Sequence, residues 1–159
     1  MKKYLFFAVT VLTLGFASHA QNYKTFENKA FSIDYPEDWE VTWDNDICLN
    51  LANPEGNIRF DITFNEEGPT KAQLQHCVDN WVYMKESHGH KVDKLVKDDY
   101  ALVRSIETDD DDNTQTVVVW FLMISSEPQC FCGTINSDFD HANEALDILV
   151  NMLATLNPK

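Results

Sequence analysis

The hydrophobic period of this chain switches three times. From Phe31 apolar and polar residues alternate, at residue 70 the spacing becomes helical, beyond residue 90 the alternation resumes, and after residue 138 the helical spacing returns. A period of two puts every second side chain on one face of a strand, whereas a period of 3.6 gathers a stripe along a helix. The order strands, helix, strands, helix therefore predicts an α+β domain whose helices cover the apolar faces of a curved antiparallel sheet.

Phe31, Ile33 and Tyr35 alternate with Ser32 and Asp34 until Pro36, which has no amide to give a ladder. A strand over 23–26, turned back through Glu27, Asn28 and Lys29, makes a hairpin with it, and Trp39, Val41 and Trp43 keep the period of two. A second hairpin joins 47–52 to 57–65 around Pro54, Glu55 and Gly56, with Ile58, Phe60, Ile62 and Phe64 on its buried face. After Pro69, Thr70 stands as an N-cap with Gln73 three residues on. Leu74, Cys77, Val78 and Trp81 then form the stripe of a helix that runs to about residue 87 and ends near Gly89. A four-stranded meander is predicted over 91–97, 100–108, 114–125 and 129–135, in which the apolar run 117–124 suits a central strand covered on both faces. The last helix starts near Asp138 or Asp140 and buries Ala145, Leu146, Leu149, Met152, Leu153 and Leu156 before Pro158 stops it. The sheet is expected to hold about seven to nine strands.

The chain opens with Lys2 and Lys3, an apolar run from Tyr4 to Phe16, and small residues up to Ala20, the three-part pattern of a cleaved secretory signal. The run is short of the roughly 20 residues a spanning helix needs. Residues 1–20 are read as the signal peptide and 21–159 as one domain of a periplasmic or secreted bacterial protein, with no membrane insertion of the mature chain. Against 26 acidic residues the chain has 12 basic ones, a formal charge of −14, and losing Lys2 and Lys3 makes it two units more negative. Such a field repels phosphate backbones, so nucleic acid is not expected as a partner. Cys48, Cys77, Cys130 and Cys132 are an even set in an exported chain, which reads as disulfides. Cys130 and Cys132 point the same way along one strand, so each is expected to pair with Cys48 or Cys77 rather than with the other.

Familiar catalytic patterns are missing: no nucleophile elbow, no phosphate-cradling glycine loop and no zinc-protease helix. Asp109, Asp110, Asp111 and Asp112 offer hard oxygen ligands for calcium without the alternate spacing of an EF-hand loop. Cys130 and Cys132 with His88 and His90 would make a Cys2His2 zinc set only if the fold joined the two pairs. Trp81 and Trp120 read as core, while Trp39 and Trp43 in a short edge strand, with the two arginines Arg59 and Arg104 on sheet faces, make the candidate ligand surface. An ion pair with one of the many carboxylates is the commoner fate of such an arginine.

The segment Phe31-Ser32-Ile33-Asp34-Tyr35-Pro36-Glu37-Asp38-Trp39 and the order of elements after it resemble the PsbP-like superfamily. That superfamily includes the photosystem II protein PsbP, a nuclear-import factor acting on the GTPase Ran, and small exported bacterial proteins of the DcrB-like kind. The resemblance implies a curved antiparallel sheet flanked by helices and a non-catalytic binding or accessory role, with no shared active site to carry over. The expected partner is a protein or small molecule and no cofactor is expected. A calcium- or zinc-binding protein and an unrecognised hydrolase are the alternatives.

Overall fold

A computed structural model describes residues 22–109 and 113–159. Its elements run β1 (Tyr23–Glu27), β2 (Phe31–Pro36), β3 (Glu40–Asp44), β4 (Cys48–Ala52), β5 (Ile58–Asn65), α1 (Lys71–Ser87), β6 (Lys91–Val96), β7 (Tyr100–Thr108), β8 (Gln115–Ser126) and β9 (Gln129–Asp138). A 3-10 turn (Phe139–His141), α2 (Ala142–Thr155) and β10 (Asn157–Pro158) complete the chain.

The strands make two antiparallel sheets, where the alternation had predicted one. Seven of them lie in the order β3-β4-β5-β9-β8-β7-β6, and β1-β2-β10 form a smaller sheet. The division falls at Pro36, which ends β2; the Trp39 amide donates to the Pro36 carbonyl at 3.1 Å, so the chain turns there and β3 cannot extend the ladder of β2. The last strand was hidden from any periodicity by its length. Asn157 and Pro158 return from α2 to pair with Ser32 and Phe31.

One face of the large sheet carries a continuous apolar layer. Leu49 and Leu51 of β4, Ile58, Phe60, Ile62 and Phe64 of β5, Phe131 and Ile135 of β9, and Val117, Val119 and Phe121 of β8 meet Ala145, Ile148, Leu149 and Met152 of α2 there, with Phe31, Ile33 and Tyr35 of β2 closing the layer. Each large side chain buried this way contributes roughly 1.5–3 kcal/mol. Phe60 and Phe121 stack at 5.9 Å across Gly133, which lies opposite Ile62 and Phe121 in the two ladders. A Cβ on Gly133 would stand 2.0 Å from the Asp61 carbonyl oxygen and 2.9 Å from Phe121, so only glycine lets the strands and rings approach this closely.

The other face is covered over half its width. α1 packs on β6 and β7, and its Leu74 and Val78 join Ala101, Val103, Leu122, Ile124 and Cys130 in a second core. Trp81 meets Trp120 edge-on at 5.1 Å, so both lie in packing as their apolar surroundings predict. Gln73 reaches back to accept the Thr70 amide at 2.9 Å, and Glu127 accepts the Lys71 amide at 2.6 Å, which satisfies two donors of the first turn. At the far end the Gly89 amide donates to the Glu86 carbonyl and the His90 amide to the Lys85 carbonyl, with Gly89 at φ 81°, a Schellman closure that needs a residue tolerant of the left-handed region.

Candidate functional site

The half of that face which α1 leaves open is the region least explained by folding. Strand register assigns its rows. Trp43 stands opposite Asn50, Asn50 opposite Asp61, Asp61 opposite Thr134 and Thr134 opposite Trp120. In the next row Cys48, Thr63 and Cys132 follow one another, and on the other side Ala52, Arg59 and Asn136 do. All alternate with the buried positions of β4, β5 and β9, so the apolar layer on one face dictates that these side chains emerge on the other.

A solvated sheet face ordinarily carries long charged side chains. This one carries amides, hydroxyls and thiols bonded in short separate groups. Asn136 Nδ2 donates to Thr134 Oγ1 at 3.3 Å, and Thr134 Oγ1 donates in turn to the Asp61 carboxylate. Asn65 Nδ2 donates to Cys132 Sγ at 3.2 Å, and Cys48 Sγ lies 3.4 Å from Thr63 Oγ1. Burial pushes the Asp61 carboxyl above its ordinary value, and the Thr134 bond opposes that only in part. At the border with α1 the Trp120 indole N–H is buried with no partner among the described residues. At the outer rim Val41, Trp43 and Ile47 are exposed large apolar residues, Trp43 at 52%. Buried polar groups, an unpaired donor and an aromatic rim are the materials of a recognition surface.

Two thiols of this face, Cys130 and Cys132, are poor nucleophiles. Burial, and then the neighbouring Cys132, push Cys130 up to about 11, and burial pushes Cys132 up as well. A catalytic cysteine needs the opposite shift, supplied by a cation or a helix N-terminus.

The structure divides the ligand surface read from the sequence. Trp43 and Arg59 share the open face, but Trp39 is 2% exposed in the α2-side core, because the turn after Pro36 directs it inward. Arg104 emerges on the α2 side, where it donates to Asp93 at 2.5 Å. All four cysteines are free thiols, which corrects the expected cystines. Cys48 and Cys132 sit on either side of Thr63, two strand spacings apart. At about 4.8 Å per spacing that exceeds the roughly 7 Å limit between bridged Cα atoms.

The zinc set is not assembled either. Cys77 precedes His88 by about three turns of α1, roughly 16 Å at 1.5 Å per residue, and Cys130 packs in the core at the Cys77 end. Among the described residues no group of three or more His, Cys, Asp or Glu side chains converges as a metal site. Asp110, Asp111 and Asp112 of the proposed calcium loop lie outside the described residues, as does the signal segment 1–20; Asp109 is exposed at the end of β7. No described helix is long and apolar enough to cross a membrane.

Asn50, Asp61, Thr63, Thr134 and Asn136 went unnoticed in the sequence. Their signal was present in the outward positions of three strands, mostly polar yet almost free of Lys and Glu.

No family model matches the chain, and no curated protein matches it in sequence. Among solved structures it is similar to the Saccharomyces cerevisiae Ran-binding protein Mog1p, with a TM-score of 0.61 at 12% identity over 87% of this chain and 96% of that one. A point mutant of Mog1 gives a TM-score of 0.58 at 13% identity, covering 86% of this chain and 95% of that one. At such identities the likeness concerns the fold alone. It overturns the PsbP-like assignment, since these neighbours are Mog1 proteins and no family model supports PsbP. The Phe31–Trp39 pattern is a strand, a proline stop and a tryptophan turned into the core, which the needs of packing account for without a common family.

Proposed function

We propose that this chain is an exported, non-catalytic binding module that receives a protein partner on the open half of its seven-stranded sheet. The observation that carries the reading is the row Trp43, Asn50, Asp61 and Thr134, half-buried polar residues beside an exposed tryptophan on the part of the sheet that α1 does not cover. Mog1p, of similar fold, is by name a Ran-binding protein, so this architecture supports recognition of a protein surface in at least one other chain. The formal charge of −14 favours a partner that presents cations, which Asp61 and its neighbours would receive as charge-assisted hydrogen bonds.

The signal pattern supports export, and the raised thiols and missing catalytic motifs support binding over chemistry. The test is crosslinking of the native exported protein from a photoreactive residue at position 43 and, in parallel, at position 150 of α2, exposed on the opposite side. One partner captured from 43 and lost on Asp61→Ala with Thr134→Ala, but absent from 150, is the expected result. Equal capture from both positions, or turnover of a substrate abolished by the same pair of changes, would overturn it.

A further inference from the structure

We propose that the β3 edge of the large sheet takes an added strand, an extended segment of a partner protein that carries lysine or arginine opposite Glu40 and Asp44. This deepens the partner reading above and rests on it, since Trp43 belongs both to β3 and to the open face. β3 and β6 end the seven-stranded ladder on either side, and they are finished differently. β6 reads Lys-Val-Asp-Lys-Leu-Val and has α1 packed along it, and lysines on an edge guard it against further pairing. β3 reads Glu-Val-Thr-Trp-Asp, with no lysine and no proline, and every residue of it is exposed. Among the described residues no element other than β4 hydrogen-bonds its backbone. Its outer amides and carbonyls are left to solvent or to a strand that continues the ladder through main-chain bonds.

The side chains select the strand that fits. The apolar layer of the large sheet begins at β4 and leaves Val41, 40% exposed, and Trp43, 52% exposed, without cover. A further strand about 4.8 Å away would pack its own side chains against both. Glu40 and Asp44 close β3 at its two ends. A second copy of this chain set antiparallel across Thr42 would put Glu40 against Asp44 at each end, like charges directly opposite, in addition to the repulsion between two chains of formal charge −14. Thr42 also has no counterpart in β4, where the register shifts between Val41 and Trp43, and such a bulge bends the edge away from flat self-pairing.

The same two carboxylates favour a basic segment. Lys29, which the bond from Asn28 Nδ2 to the Asn45 carbonyl brings to this margin, is already engaged by Asp46 at 2.5 Å. Arg59 stands two strands inward, in the row of Glu40 and Ala52. The edge is thus closed to its own copy and open to a strand of opposite charge.

The probe is a synthetic peptide of alternating valine and lysine, titrated into the native protein while backbone resonances and amide exchange are followed residue by residue. New protection of amides within Glu40–Asp44, with none gained in Lys91–Val96, is the expected result. Glu40→Gln and Asp44→Asn should each weaken binding about two- to fivefold, and raised salt should weaken it further. The same peptide with alternate amides N-methylated keeps the charge and loses the ladder, so it should bind at least about tenfold more weakly. Equal binding of the N-methylated peptide, equal binding of a peptide with glutamate in place of lysine, or protection on β6 and not on β3 would each overturn the proposal. Asp61→Ala with Thr134→Ala lies off the edge and should leave the peptide's protection of β3 intact while removing capture from position 43, so failure of the edge and failure of the face are read separately.

Discussion

α1 and α2 are laid on opposite faces of the same sheet and are held there by different forces. α2 buries Ala145, Ile148, Leu149 and Met152 against a layer that runs from β4 to β8, and the small sheet closes over its end. α1 has Leu74 and Val78 as its fully buried residues and relies on a polar perimeter. Lys85 meets Glu107 at 2.5 Å and lies over the Trp120 ring at 5.2 Å, Lys94 meets Asp79 at 2.7 Å, and Glu127 caps the first turn. A helix fastened by burial must spread over its apolar layer. One fastened at its margins can stop halfway, and by stopping α1 leaves half of that face uncovered.

The comparison is sharpened first in the two cores. Leu149→Ala should cost about 4–5 kcal/mol, because rigid aromatic neighbours cannot collapse into the space, while Leu74→Ala should cost about 2–3 kcal/mol under the less enclosed helix. Denaturant melts of the two variants decide it, and equal losses would remove the distinction between the helices.

Next comes the perimeter. Burial alone would raise the Glu107 carboxyl, but the bonds from Lys85 and Ser105 outweigh it and hold the group below its ordinary 4.5. A lowered folded value stabilises the fold above the ordinary carboxylate range and is lost as the pH falls through that lowered value. Glu107→Gln should therefore cost about 1 kcal/mol at pH 7, allowing for partial exposure. The deficit should vanish in acid, as melting temperatures measured from pH 7 downward would show.

Asp61 should behave in the opposite sense. Its carboxyl is raised by burial, so at pH 7 the fold pays to keep it ionised, and that cost is relieved as the pH falls through the raised value. Asp61→Asn should raise the melting temperature at pH 7 while weakening partner binding, with the stability gain shrinking in acid. A destabilised variant would mean that the Thr134–Asp61 bond serves the fold and not a partner. The smallest effect on stability belongs to Trp43→Ala, within about 0.5 kcal/mol, although the same change should weaken capture of the partner from a photoreactive residue placed at the exposed rim position 47 instead.

How far the sequence carried is seen strand by strand. β5 and β8 were legible because alternation over eight residues and an unbroken apolar run each admit few other structures. The start of α1 was legible from Thr70 and Gln73, which act within one turn. The early end assigned to the last strand of the meander was in error. β9 continues to Asp138 because β8 and β5 supply ladder partners on both sides, Ser137 pairing with Val117 and Ile58, and no local propensity reports a neighbour's length. Of the ligand surface, Trp43 and Arg59 were found by residue type, and Trp39 was placed wrongly because residue type does not distinguish a rim tryptophan from a core one.

By itself the sequence determined what depends on neighbours a few residues away: the alternating strands, both helices, the cap at Thr70, the glycine stop at position 89 and the acidic charge. Only the tertiary structure decided what depends on distant pairs. These are the split into two sheets at Pro36, the separation of Cys48 from Cys132 by Thr63, the crossing of Phe60 and Phe121 over Gly133, and the place where α1 stops. Each of these is set by which strand lies beside which, and that choice is made by burying the whole apolar layer at once, a sum over the chain that no short window contains.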